Sequence, residues 1–188
     1  MPRHLIRKMT ARLQPAIDRI TGHPWVLRHV PALADPDLWH LNRRSSARAV
    51  AVGLFCGLVP GPLQVISAIA FCLVVRANFP VAVVTTFYTN PFTIVPLYLV
   101  AYEYGSLFLP AGADHASVLA PPPFAPPGIW IPQLFDWMVA MGKPLALGLV
   151  LLAVTLAAVG WVVVRLGWRA HAVWAWRRRA RLRALRDA

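Results

Sequence analysis

GLVPGPLQVI, residues 57–66, decides how this chain folds. It lies inside a run, 47–75, that is apolar apart from Arg48, Gln64 and Ser67. Without residues 60–62 that run would read as one membrane-spanning helix. Pro60 lacks the N–H that a helix interior needs, Gly61 permits a bend, and Pro62 suits the first position of a new helix. The run therefore divides into two halves of about thirteen residues. Each reaches ~20 Å as helix, too short for a hydrocarbon core of ~30 Å.

Working outward, RANFP at 76–80 has turn character, and a second apolar stretch follows from 81 to 110, broken by Asn90-Pro91 and again by Pro96. Asn90 offers a side-chain cap ahead of Pro91 at a helix start. A break at membrane depth survives only where protein or a watery cavity covers it, because lipid satisfies no backbone group. Helix starts also carry free N–H groups and partial positive charge. Polar residues gather at both breaks, with Gln64 after the first and Thr85, Thr86, Tyr88, Thr89, Asn90 and Thr93 around the second. The candidate binding residues are Gln64, Thr86, Tyr88, Asn90 and Thr93, and the breaks themselves are Pro60, Gly61, Pro62, Pro91 and Pro96. Two readings compete. Either these groups form a polar midplane site, as in the broken helices of transporters, or they satisfy the broken backbone and hold helices together.

Composition points to a bilayer. The 188 residues are 58% hydrophobic and only 14% charged, against about 25% charged in an average soluble domain. Nineteen Lys and Arg face seven Asp and Glu, a net charge of +12. These cations sit at the two ends, and between Arg48 and Arg165 only Arg76 and Lys143 are basic. Basic flanks face the cytoplasm, so both ends are expected there and the number of full crossings should be even. Residues 145–164 carry no charge and span ~30 Å as helix, one crossing. One net crossing remains for 47–109. Arg48 and Arg76 flank the first broken stretch as though both its ends faced inward, which makes it a re-entrant hairpin. The second stretch then crosses, kinked at Asn90-Pro91. A variant places a re-entrant part in each stretch.

The expected architecture is an all-α integral membrane protein, with a broken or re-entrant hairpin core, a C-terminal transmembrane helix and an N-terminal amphipathic helix. Residues 1–46 form a cytoplasmic or interfacial segment, with Leu5, Met9, Leu13 and Ile17 at four-residue spacing among basic residues. Residues 47–109 form the membrane core. Residues 110–142, proline-rich and with no basic residue before Lys143, form an extracytoplasmic loop of extended, polyproline-like character through 136. Residues 143–168 are the transmembrane helix and 169–188 a basic cytoplasmic tail. Ala49, Gly53 and Gly57 repeat small residues at a spacing that lets helices approach closely, as an internal seam or an oligomer contact.

The motifs at the breaks carry a resemblance. DPDLWHLNRRSSARAVAVGLFCGLVPGPLQ, then RANFPVAV, then TNPFTIVPLY with AYEYG, resembles a bacterial membrane family known as domain of unknown function 2062, over roughly residues 35–109. Pro60, Pro62 and Gln64 match its paired prolines before glutamine. Arg76, Asn78 and Pro80 match its R-x-N-x-P turn. Asn90, Pro91, Thr93 and Pro96 match its N-P-x-T-x-x-P motif, with Tyr102 and Gly105 after it. In this chain glycine lies between the paired prolines, where the family often has an apolar residue. The resemblance implies a small protein of the bacterial inner membrane and brings with it no reaction, cofactor or substrate.

Enzyme signals are weak. His4, His23, His29, His40, His115 and His171 form no metal spacing. No nucleophile elbow, phosphate loop or dinucleotide-binding glycine series is present. Cys56 and Cys72 read as small core hydrophobes. No cofactor or metal is expected. Glu103, the only glutamate, sits in an apolar context with Tyr102 and Tyr104, and Arg76 reaches it only if the chain returns that end. The expected partners are membrane lipids, including anionic headgroups, with a homo-oligomer as a further expectation; nucleic acid is disfavoured. The leading functional expectation is a midplane site for transport or permeation of a small solute or ion. The alternative is a structural or lipid-organising protein with no transport cycle.

Overall fold

Asn42 starts the first helix by accepting a hydrogen bond from the Ser45 amide on its side-chain oxygen, 2.7 Å away. The computed structural model describes residues 15, 24, 28, 38–39, 42–61, 63–109, 120–123 and 125–184, with the side chains of 180–184 excepted. The expected N-terminal amphipathic helix, Pro62 and the start of the proline-rich stretch lie outside these residues. Among them are five helices: α1 (Arg43–Cys56), α2 (Leu63–Val75), α3 (Phe79–Thr86), α4 (Ile94–Ser106) and α5 (Pro127–Ala184). No strand occurs among the described residues.

The first stretch is a helical hairpin. α1 ends at Cys56, Gly61 takes φ +68° in the turn, and α2 begins at Leu63. The base of the hairpin is tied by Arg48, whose guanidinium donates to the Val75 carbonyl at 3.0 Å. Phe55 and Phe71 meet nearer the tip, with ring centroids 5.5 Å apart. α2 closes with Arg76 in the left-handed region, φ 49°, while the Ala77 amide reaches back to the Cys72 carbonyl. Asn78 then caps α3 by accepting from the Val81 amide. So R-x-N-x-P is a helix stop and a helix start within four residues.

α3 packs into the small-residue seam of α1. A methyl added to Gly53 would strike the Ala82 carbonyl and the Thr85 side chain, and one added to Gly57 would strike the Tyr88 ring. Ala49 is fully buried. The seam is internal.

α5 differs from the sequence expectation. The stretch from Pro127 is helix, not loop, because Pro126 accepts on its carbonyl from the Ile129 and Trp130 amides and Pro127 needs no N–H in the first turn. Trp130, Leu134, Trp137 and Met141 then fall on one buried face. Gly142, at φ 60° and ψ −141°, interrupts the helix and divides it into two arms. The second arm continues as helix through the basic residues to Ala184, so the tail from 169 is not a separate segment.

That second arm is the axis of the protein. Gly105 and Ala101 of α4 lie directly against Pro144 and Gly148, where added methyls would collide with backbone. Further along, Gly160 lies against Val50 and Leu54 of α1. Trp161 and Arg165 reach Arg43 and Arg44 at the start of α1. α4 therefore covers the first part of the arm and α1 the last, both running against it. From Pro144 to Arg165 the arm measures ~30 Å, and each partner covers about half.

The exterior is apolar and part of the interior polar. Ile66, Val74, Val84, Val139, Val154 and Val163 are exposed, whereas Ser45, Ser46, Asn78, Thr86 and Thr89 are buried. Exposed apolar surface on this scale marks contact with lipid or protein. Among the described residues, one helix is long and apolar enough to cross a membrane, and it is α5.

Candidate functional site

The two breaks meet. A helix leaves its last four carbonyls without intrahelical donors, and α1 ends where the sequence offers no local side chain to serve them. The donors come from the second break. Tyr88 donates its hydroxyl to the Leu54 carbonyl at 2.8 Å, Thr89 to the Gly57 carbonyl at 2.5 Å, and Tyr98 to the Leu58 carbonyl at 2.9 Å. Tyr98 is fully buried, so its hydroxyl had to find such a partner.

The second break serves itself. Asn90 Oδ1 accepts from the Phe92 and Thr93 amides, at 2.9 and 3.1 Å. In return Thr93 Oγ1 accepts from the Asn90 amide at 2.9 Å and donates to the Tyr88 carbonyl at 2.7 Å. This is a reciprocal cap built within N-P-F-T. It closes a turn at 91–93, and α4 itself begins at Ile94, later than a helix start at Pro91 would place it. Pro96 falls in the first turn of α4, where its missing N–H costs no helical bond.

Of the candidate binding residues, four are committed to backbone. Tyr88, Asn90 and Thr93 act as above, and the buried Thr86 donates to the Val83 carbonyl of its own helix at 2.7 Å. Gln64 differs. Its Oε1 lies 3.0 Å from Thr89 Oγ1. Thr89 Oγ1 donates to the Gly57 carbonyl at the shorter distance and faces Gln64 Oε1 as a second acceptor. The Gln64 NH₂ is then the donor left for an occupant. Arg76 and Glu103 are both exposed, on α2's closing turn and on α4, helices that do not form a main packed pair.

Between the breaks and the first arm of α5 lies a groove of about 400 Å³. Gln64, Thr89 and Asn90 supply its polar end; Phe87, Ile94, Trp130, Leu134, Phe135 and Met138 are among its apolar walls. Among the described residues no charged side chain lines it. Sequence reading did not find the Trp130–Met138 wall, because prolines at 126, 127 and 132 masked a four-residue apolar period. It noted Thr89 without singling it out, and it left Tyr98 unremarked, although a tyrosine inside an apolar run signals a hydroxyl in search of a carbonyl. Among the described residues no three His, Cys, Asp or Glu side chains gather as a metal site, and Cys56 and Cys72 are buried free thiols.

Fold and site define a class: among the described residues the protein is helical, with one helix of membrane-crossing length, beside which one helix break supplies hydrogen-bond donors to another. Residues 28–177 match the family model described as uncharacterized protein conserved in bacteria, DUF2062, and the chain belongs to that family. No curated protein and no solved structure matches the chain.

Proposed function

We propose that this is a bacterial inner-membrane protein with cytoplasmic ends, which holds an amphipathic molecule of lipid type in the groove between its breaks. In this reading the second arm of α5 spans the bilayer. α1 and α2 enter from the cytoplasmic side and turn back at mid-depth, and α3 with α4 completes a second crossing through the break. The first arm of α5 dips inward from the opposite face.

One observation carries the occupant's chemistry. The hydroxyls around the breaks are used by the chain's own oxygens, while the groove keeps a long apolar wall and one amide donor, the Gln64 NH₂. A dehydrated ion needs several oxygens or a counter-charge; no charged side chain among the described residues lines the groove, and Asn90 Oδ1 and Gln64 Oε1 already accept from the chain. An apolar chain with a hydroxyl or carbonyl acceptor fits both ends of it. This favours the lipid-organising alternative over an ion path. The midplane solute site remains the second reading, supported by the same Gln64, Thr89 and Asn90.

The test is reconstitution in vesicles, with a bulky residue placed in the groove by Leu134→Trp. Photoactivatable lipid should crosslink to the wild type at the groove and fail to do so in the variant, with no solute flux from either. Solute uptake that the variant abolishes, without lipid crosslinking, overturns the lipid reading in favour of the second.

A further inference from the structure

The opposite end of the fold carries a second feature that the groove does not use. Where the start of α1 meets α5, Arg43, Arg44, Arg48 and Arg165 surround a cleft of about 300 Å³, closed by Ala47 and Trp161. Four guanidiniums in one cleft repel one another. Three of them also sit in the first turns of α1, where the helix dipole is positive and no acidic residue compensates. Among the described residues the only carboxylates are Glu103 and Asp136, and neither lines the cleft.

Two of the guanidiniums are positioned rather than loose. Arg48 is anchored through one nitrogen to the Val75 carbonyl, which leaves most of its five N–H donors unused. Arg165 stacks on the Trp161 ring with its central carbon 4.5 Å from the ring centroid. Stacking occupies the flat face of a guanidinium and leaves its in-plane donors free. Arginine in this array matches a phosphate by paired hydrogen bonds, where lysine would give only a point charge. Directly beside the cleft, Trp161, Val162, Val163 and Leu166 are exposed. A ligand held here thus meets a phosphate-binding fork and an apolar surface within one helical turn.

We infer that this cleft is a binding site for the phosphate of an anionic phospholipid, whose chains lie along the exposed face of α5. Free phosphate shares the headgroup chemistry but gains nothing from the apolar face, so the two sources separate experimentally. The full chain in nanodiscs of phosphatidylcholine doped with spin-labelled phosphatidylglycerol should enrich the anionic lipid at its surface. Removing charge near a membrane surface weakens such attraction by about fivefold per arginine. Arg44→Gln with Arg165→Gln should therefore lower the preference by about 25-fold. Both residues are exposed, so the helical content and melting temperature should stay as in the wild type. The triple variant Arg177→Gln, Arg178→Gln and Arg179→Gln, on the far part of α5, should keep most of the preference. Three results overturn the inference: an unchanged preference in the double variant, an equal loss in the triple variant, or release of the lipid by inorganic phosphate at matching concentration.

Discussion

The breaks at 57–61 and 87–93 look alike in sequence and are solved in opposite ways. The second is closed by its own residues, through the exchange between Asn90 and Thr93 over three positions. The first borrows. Its carbonyls at Leu54, Gly57 and Leu58 are served by hydroxyls 34, 32 and 40 residues away. A self-capped break can form early and locally. A borrowed one exists only once α3 and α4 have docked on the hairpin. The second break is therefore the template and the first the dependent, and substitutions at the two should differ in cost and in reach.

The largest effect should come from Gly57→Ala. The new methyl would occupy the place of the Tyr88 ring and overlap the Gly53 carbonyl as well. Displacing Tyr88 also strips the Leu54 carbonyl of its donor. Overpacking and an unsatisfied buried carbonyl together cost about 3 kcal/mol. Thermal unfolding in detergent should show a large fall in melting temperature, and an unchanged melt would mean that the ring is not held against Gly57.

Next in size is Tyr98→Phe, which keeps the ring and removes only the hydroxyl. Pairs of this kind between membrane helices average about 0.6 kcal/mol, because the alternative state finds other partners. The Leu58 carbonyl stands at a helix break and its partner is fully buried, so a cost of about 2 kcal/mol is expected. A loss near the smaller figure would show that water or lipid reaches the tip of the hairpin.

Asn90→Ala should cost about 1 kcal/mol, as for an exposed N-cap. The comparison sharpens in the double variant with Thr93→Ala. Since the two residues cap each other, the double variant should cost less than the sum of the two single ones. Asn90→Ala with Tyr98→Phe should instead add nearly in full. Additivity in both pairs would remove the distinction between a local break and a borrowed one.

The same distinction explains what was legible beforehand. Proline, glycine and asparagine act on their immediate neighbours, so the positions of both breaks and of the RANFP turn could be read directly. The first stretch reads as a hairpin from Arg48 and Arg76, and the Arg48 guanidinium meets the Val75 carbonyl at the hairpin's base. What serves the first break was not readable, since a hydroxyl thirty or more residues away carries no mark of its target. That made Tyr88 look like a ligand group when it is a cap. The helix from Pro127 was hidden differently. Three prolines suggest extended chain, yet two of them lie where a helix starts and needs no N–H. The family motifs located the stops and starts without saying what the groove between them holds.

The turn at 76–78 supplies the smallest and most discriminating effect. Like the second break it is self-contained, with Ala77 bonded back to Cys72 and Asn78 capping α3. Unlike that break it holds a side chain in the left-handed region, Arg76 at φ 49°. That conformation costs a residue with a Cβ roughly 1–2 kcal/mol, which glycine avoids, though glycine loses about 0.5–1 kcal/mol of chain freedom on folding. Arg76→Gly should therefore stabilise the protein by about 0.5 kcal/mol, a small rise in melting temperature. The sign carries the weight. A gain would mean that Arg76 is kept for its charge, as the proposed cytoplasmic placement of this end of the hairpin requires, since a basic residue fixes orientation. A loss would mean that its side chain holds the turn, and the orientation of the hairpin would then rest on Arg48 and its neighbours in α1.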